Sequence, residues 1–489
     1  MYGKIYTTII FVKGATMKKL VSLFFACVTI ISLCLCLSSC DKDQRWKKFS
    51  FGENVSALFN RGVVYDISED GKSAYVRSYI RTPRRLRIKR RFRGRPVTTI
   101  NAGAFLDCNK LRSVKITKNI SKIKDQAFRN CSNLRKVKIA GNVKTIEYHA
   151  FAYCESLTDV MINKSIEKIA QSAFEDSKNL ENVYIKDLEA WCNIEFTPSY
   201  TYSNSLTNGK KLYLNKELVT DLTIPDGVTE IKDYAFAGLL HLTTVTLPDS
   251  VTSIGTEAFS YCKALNEISF GSNLKTIKAS AFVNCEDLER INIKNLAAWC
   301  ETELENKVFI VLDEYGNENF EKERRLYLNG EQITNLVIPE GVTKISDYAF
   351  YNFKGLETLT TPESLKTISE YAFTYSDFSS ITLAGNLESI GEFAFYDCDS
   401  LISLTITSST DAEHTGMIIN SNAFRSCENL ETITFADCIK EIDYGTFEHC
   451  NKLKTVYFEN PDVFSYTWGY RLSDPYEAAK YLRNGSRLH

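Results

Sequence analysis

The sequence predicts an α/β solenoid of about twelve coils of 22–23 residues, with a stacked parallel sheet, short helical turns and two long insertions. Three observations carry that prediction. An Ala-Phe pair recurs at 104/105, 127/128, 150/151, 173/174, 235/236, 258/259, 281/282, 349/350, 372/373, 394/395 and 423/424, and Thr446-Phe447 completes a set of twelve. Most steps are 23 residues, while steps of 62, 68, 22 and 29 mark two long insertions and one shorter one. Within a unit the pattern Ile-x3-Ala-Phe-x2-Cys-x2-Leu-x2-Val-x-Ile repeats, as in Ile100, Ala104, Phe105, Cys108, Leu111, Val114 and Ile116. Leu-x2-Val-x-Ile has the spacing and β-branched content of a short strand with one buried face, and Ala-Phe-x2-Cys suits a single helical turn. Neither element could bury its apolar side alone, so the coils must stack, each adding a strand to a parallel sheet.

Ahead of the repeats, residues 1–40 read as targeting and not as fold. Met17-Lys18-Lys19 supplies a positive start and Leu20 to Leu37 an apolar run. The run ends in Leu37-Ser38-Ser39-Cys40, which resembles the lipobox of bacterial lipoproteins; that resemblance implies a mature start at Cys40 with the thiol acylated. A transmembrane anchor or an ordinary cleaved signal is the competing reading, since the run approaches spanning length. Asp41-Lys42-Asp43 looks like the surface-export signal of lipoproteins of the Bacteroidetes. Residues 41–96 read as a polar tether followed by an N-terminal cap, 97–460 as the solenoid and 461–489 as a C-terminal cap with a helix at Tyr476 to Leu482.

The repeats resemble the BspA-like leucine-rich-repeat family, whose units carry the same Ala-Phe-x2-Cys-x2-Leu run, a strand and a Pro-containing turn. Ile224-Pro225-Asp226-Gly227-Val228 and Ile338-Pro339-Glu340-Gly341-Val342 match that turn. The resemblance covers roughly residues 97–460 and implies a leucine-rich-repeat solenoid on a surface or secreted protein, with adhesion to host proteins and to other bacteria as the family's associated role.

The insertions, near 186–220 and 294–335, are related to each other. Leu188-Glu189-Ala190-Trp191-Cys192 recurs as Leu296-Ala297-Ala298-Trp299-Cys300, and Leu212-Tyr213-Leu214-Asn215 as Leu326-Tyr327-Leu328-Asn329. Leu, Trp and Cys at i, i+3 and i+4 mark one face of a helix, followed by a hairpin leading back into the next coil. A packed spacer is favoured over a binding protrusion for the helices, less so for the tips at 197–209 and 305–323.

Of 15 cysteines, four lie at or before the lipobox and eight (Cys108, Cys131, Cys154, Cys262, Cys285, Cys398, Cys427, Cys450) fall three residues after the repeat Phe. Other repeats place Ser177, Leu239, Phe353 and Ser376 there, so the slot reads as buried packing and not as a disulfide or metal framework. A bridge between Cys192 and Cys300 is left open. Five scattered histidines lack metal-ligand spacing, and no nucleophile-elbow, zinc-protease or phosphate-loop motif is present. The expectation is therefore a binding protein with no catalytic residues, no metal and no cofactor.

Two surfaces could bind. Strand positions alternating with the core give an outward column of Lys115, Lys138, Met161, Tyr184, Thr246, Ser269, Asn292, Thr360, Thr382, Thr405, Thr434 and Tyr457. Such a column suits shallow contact with protein or glycan, and equally an unused β surface. The second is basic: a formal charge of -1 conceals residues 81–144, where twenty Lys/Arg face only Asp107 and Asp125. From Arg85 to Arg93 the odd positions are cationic (Arg85, Arg87, Lys89, Arg91, Arg93), with Leu86, Ile88 and Phe92 between them, which describes one edge strand. With Arg84, Arg90, Lys115 and Lys138 these residues form a candidate polyanion site, the alternative being an edge charged against aggregation. The partners expected are host or bacterial surface proteins or glycans, a polyanion, and the membrane through the lipid anchor only; no specific nucleic acid is expected. The second functional reading is an envelope-structural lipoprotein whose basic end docks on anionic surface polysaccharide or lipid.

Overall fold

A computed structural model describes residues 62–459, apart from residues 82 and 140 and the segments 198–205, 306–307, 313–317, 320–322 and 411–415, together with 475–483. Cys40, the tether and most of the two insertion tips lie outside the described residues, as does 461–474.

Each coil contributes to three ladders that run from coil to coil. The first is a parallel sheet of short strands such as Ser113–Ile116, Lys136–Ile139, Asp159–Met161 and Asn182–Ile185, in which Val114, Val137, Val160 and Val183 lie opposite one another. The second is a narrower parallel sheet through Arg95–Ile100, Lys122–Ile123, Thr145–Ile146 and Lys168–Ala170. The third is the Ala-Phe turn. Phe105 donates its N–H to Ala127 at 2.7 Å, Phe128 to Ala150 at 2.8 Å and Phe151 to Ala173 at 2.7 Å. Their rings stack with centroids 5.0–5.1 Å apart through Phe174. Every repeat Ala and Phe is buried, and with the strand Val, Ile and Leu residues they form one continuous core.

The helical turn expected at Ala-Phe is realised only as a 3-10 turn at Gln171–Phe174. Elsewhere the residue before Ala-Phe is left-handed (Gln126, His149, Tyr234, Glu257), as is one near the following Cys slot (Asn130, Tyr153, Asn284). Left-handed residues end a right-handed helix after less than a turn. Alternate N–H groups, those of Gln126, Phe128 and Asn130 in one turn, bond across to the next coil, while Ala127 and Arg129 bond within the turn to Lys124 and Gln126.

The solenoid has more turns than the twelve predicted. Twelve strands of the main ladders follow an Ala-Phe or Thr-Phe turn; five others, Arg85–Arg87, Lys211–Leu214, Asp221–Thr223, Arg325–Leu328 and Asn335–Val337, occupy rungs without one. Lys211–Leu214 and Arg325–Leu328 each turn back in an antiparallel pair with Glu217–Leu218 and Glu331–Gln332, closing one main ladder before the next begins. The insertions thus divide the main sheet into three, with Phe stacks running 105 to 174, 236 to 309 and 350 to 447.

Both insertion helices form as expected, at Leu188–Cys192 and Leu296–Glu301. Asp187 caps the first by accepting from the N–H of Ala190 at 3.1 Å, and Asn295 caps the second from Ala298 at 3.2 Å. Each Trp is buried and donates its indole N–H to the carbonyl of the next repeat Ala, Trp191 to Ala235 and Trp299 to Ala349, both at 3.0 Å. The helices are packed spacers that hand one ladder on to the next. The C-terminal helix spans Pro475–Arg483.

Candidate functional site

The chemistry of the interior is settled by the cysteine slot. All eleven described cysteines are free and buried, Cys192 and Cys300 among them. Six of the repeat thiols donate at 3.2–3.3 Å to the carbonyl of the repeat Phe one coil back, as Cys131 does to Phe105 and Cys450 to Phe424; Cys398 does so to Phe373 at 3.4 Å. Ser177 and Ser376 make the same bond, to Phe151 and Phe350. Leu239 and Phe353 hold the slot in the first coils of the second and third Phe stacks, where the preceding rung comes from an insertion and offers no repeat Phe carbonyl. The slot is thus both a packing position and a donor position. Burial pushes the Cys262 thiol up to about 12, and Cys285, Cys398 and Cys427 well above their ordinary value, so these are not reactive thiolates. Among the described residues no group of three or more His, Cys, Asp or Glu side chains could hold a metal ion. His149 faces Glu175 across 2.8 Å at the surface.

The outward column predicted from the sequence is present in register. Thr246, Ser269 and Asn292 lie side by side, and so do Thr360, Thr382, Thr405, Thr434 and Tyr457. The extra rungs add Arg87, Tyr213, Thr223, Tyr327 and Val337 to it, none of which an Ala-Phe search could find. Tyr184 and Tyr213 stack at 4.8 Å, and the guanidinium of Arg290 sits 3.8 Å over the Tyr327 ring.

The basic segment is not one edge strand. Arg85–Arg87 is the end strand of the first main ladder, with Arg85 and Arg87 exposed and Leu86 buried, as predicted. Pairing stops there because the N–H of Lys89 bonds the Tyr65 hydroxyl at 2.9 Å and the Arg90 carbonyl accepts from Val97 at 3.0 Å. The chain then enters a hairpin in which Arg91–Phe92 pairs with Arg95 and Pro96. Arg91 bonds the Gly94 carbonyl at 2.7 Å, and Arg93 lies over the Phe92 ring. The nine predicted cations therefore divide. Arg85, Arg87, Arg90, Lys115 and Lys138 line one open depression with Lys118 and Lys136, and Arg84 precedes its edge strand; Lys89, Arg91 and Arg93 do not line it.

Register sharpens the depression into rows. Arg85 lies opposite Ser113 and Ser113 opposite Lys136; Arg87 lies opposite Lys115 and Lys115 opposite Lys138. The backbone also aligns Arg84, Arg112 and Arg135, since Arg112 donates its N–H to Arg84 at 2.8 Å and Arg135 to Arg112 at 2.9 Å. All of these cations are exposed. The row through Arg135 was missed in the sequence, because only the register brings it beside Arg112.

The family model for the BspA type leucine rich repeat region matches residues 93–208, 207–309, 323–454 and 409–467, well over half of the chain. The chain belongs to that family. Among solved structures, this BspA-type chain is similar to a leucine-rich repeat protein from Bacteroides ovatus, at 23% identity over 81% of this chain and 92% of that one, with a TM-score of 0.45. It is also similar to a leucine rich cell surface protein from Faecalibacterium prausnitzii, at 23% identity over 82% and 94%, TM-score 0.32. A third is the pneumococcal vaccine antigen PcpA, at 17% identity over 82% and 97%, TM-score 0.30. No curated protein matches.

Proposed function

We propose that this BspA-type chain is a cell-surface recognition and adhesion scaffold that binds host or bacterial proteins, glycans or polyanions without turnover. The observation that carries the reading is the in-register outward column, whose side chains recur at one position on successive strands while the interior stays fixed. A surface of this kind offers broad, shallow contact that suits a macromolecule better than a small substrate. Membership of a repeat family built as interaction scaffolds supports it. Export to the outer membrane or cell surface, with a lipid anchor at Cys40, is part of the proposal and is supported by the lipobox-like Leu37 to Cys40. No described helix is long and apolar enough to cross a membrane. Probing the full chain against an array of glycans and matrix proteins tests the reading: selective capture is expected, and no capture of any macromolecule would overturn it. Cys40→Ala should release the chain from the membrane fraction, and retention would reject the anchor.

The rows of cations favour a second reading, an envelope-structural lipoprotein whose basic N-terminal end docks on anionic surface polysaccharide or lipid. Electrostatic docking would weaken steeply with ionic strength, whereas contact along the Thr-rich column would not.

A further inference from the structure

We propose that the basic end binds a linear sulfated glycan lying across the strands, along the direction in which coils stack. The inference rests on the scaffold reading and names the ligand class of one of its surfaces. Three successive coils present Arg84-Arg85-Arg87, Arg112-Ser113-Lys115 and Arg135-Lys136-Lys138, eight cations in nine positions. Along each strand the cations are interrupted by an inward residue, Leu86, Val114 or Val137. Across the strands they are not: the rows Arg84, Arg112, Arg135 and Arg87, Lys115, Lys138 repeat at the strand spacing of about 4.8 Å. A polymer with closely repeated fixed anions meets unbroken cation rows only in that direction.

Among the described residues the set is bounded, and one of its eight cations is neutralised. Arg85–Arg87 ends the ladder on one side. On the other, the next strand brings Asp159, whose carboxylate lies 3.9 Å from Lys136. Among the described residues, that is the one ion pair made by these eight cations. Among the described residues the other seven charges lie side by side without counter-charges, which raises the local potential and favours an oxyanion ligand, and the Arg members offer forks that match sulfate oxygens.

The surroundings favour a glycan over other polyanions. Insertion into a lipid surface needs exposed apolar side chains, and none of the exposed large apolar residues lies between 83 and 139. Single-stranded nucleic acid needs aromatic faces for its bases. The aromatic nearest in sequence to the Arg85–Arg87 strand, Phe92, is stacked on Tyr65 at 5.4 Å and covered by Arg93. What remains is recognition by rows of charge alone.

Immobilised heparin serves as the probe, with the full chain and its variants measured across a salt series. Arg87→Glu with Lys115→Glu and Lys138→Glu should weaken binding at least about tenfold, while Lys275→Glu with Lys344→Glu and Lys452→Glu, on other coils, should not. Ser113→Lys fills the vacant position in the middle row and should tighten binding a few-fold, a gain that misfolding could not imitate. Unchanged binding by the triple variant, or by Ser113→Lys, would overturn the proposal. So would tighter binding to phosphatidylglycerol vesicles or to oligothymidylate than to heparin, or self-association that the triple variant abolishes. Each of these leaves capture of proteins by the Thr-rich column intact, whereas failure of the scaffold reading would abolish that capture too.

Discussion

Phe128 in the first Phe stack and main ladder and Phe373 in the third are fully buried, and each stacks at 5.0 Å on the ring above and the ring below. The strand residues that follow them outward are Lys138 in one case and Thr382 in the other. Inward-facing chemistry is thus held constant while outward chemistry changes from cationic to hydroxylic. A solenoid permits this because each coil needs only its neighbours' apolar sides for stability, which leaves the alternate strand positions free to vary.

The comparison can be broken at the shared interior. Burial raises the repeat thiols in both ladders, Cys108 to about 12 and Cys398 and Cys427 well above the ordinary 9.0. Folding therefore favours the protonated form, and its contribution is complete below pH 9 and lost as pH climbs towards the folded-state values. Circular dichroism should show stability falling as pH rises above 9, with both ladders melting in one transition; survival of one would show that the interiors are not equivalent. Next in size, Phe128→Ala and Phe373→Ala should each cost about 3–5 kcal/mol in chemical unfolding, and a marked disparity would point to unequal packing. Trp191→Phe and Trp299→Phe strand a buried Ala carbonyl and should cost about 1–3 kcal/mol each, read from the thermal midpoint. The smallest effects lie outside. Lys115→Glu relieves repulsion from Arg87 and Lys138 and should stabilise by a few tenths of a kcal/mol at low salt, fading as salt screens it. Thr382→Glu, among hydroxyls, should show no such salt-dependent gain.

The repeat, the burial of Ala, Phe and Cys, the two insertion helices and the outward column were all legible in the sequence, because each is a position in a fixed period. What was not legible depends on hydrogen bonds between coils. The N–H of Phe105 reaches Ala127 and not a residue in its own turn, so local pattern suggested a helix where none closes. Lys89 keeps the alternation of a strand, yet its N–H is claimed by Tyr65, 24 residues away, and the edge strand ends early. Of the five extra rungs, the sequence offered a strand at Arg85–Arg87 and hairpins at 212–215 and 326–329, but all five lack the Ala-Phe mark and take their place in the main ladders from register alone. Arg135 joins the basic site for the same reason.

The thiol or hydroxyl that bonds the Phe carbonyl one coil back gives the array a direction of growth. A cassette carrying both the donor and the Phe can be spliced in wherever a like cassette precedes it, since the new donor finds an acceptor and the new carbonyl serves its successor. Leu239 and Phe353 mark the two seams where that rule lapses, and there the Trp helices of the insertions supply the join. Lineages could lengthen or shorten each run between seams without redesigning the interior, and so resize the exposed face to a new target.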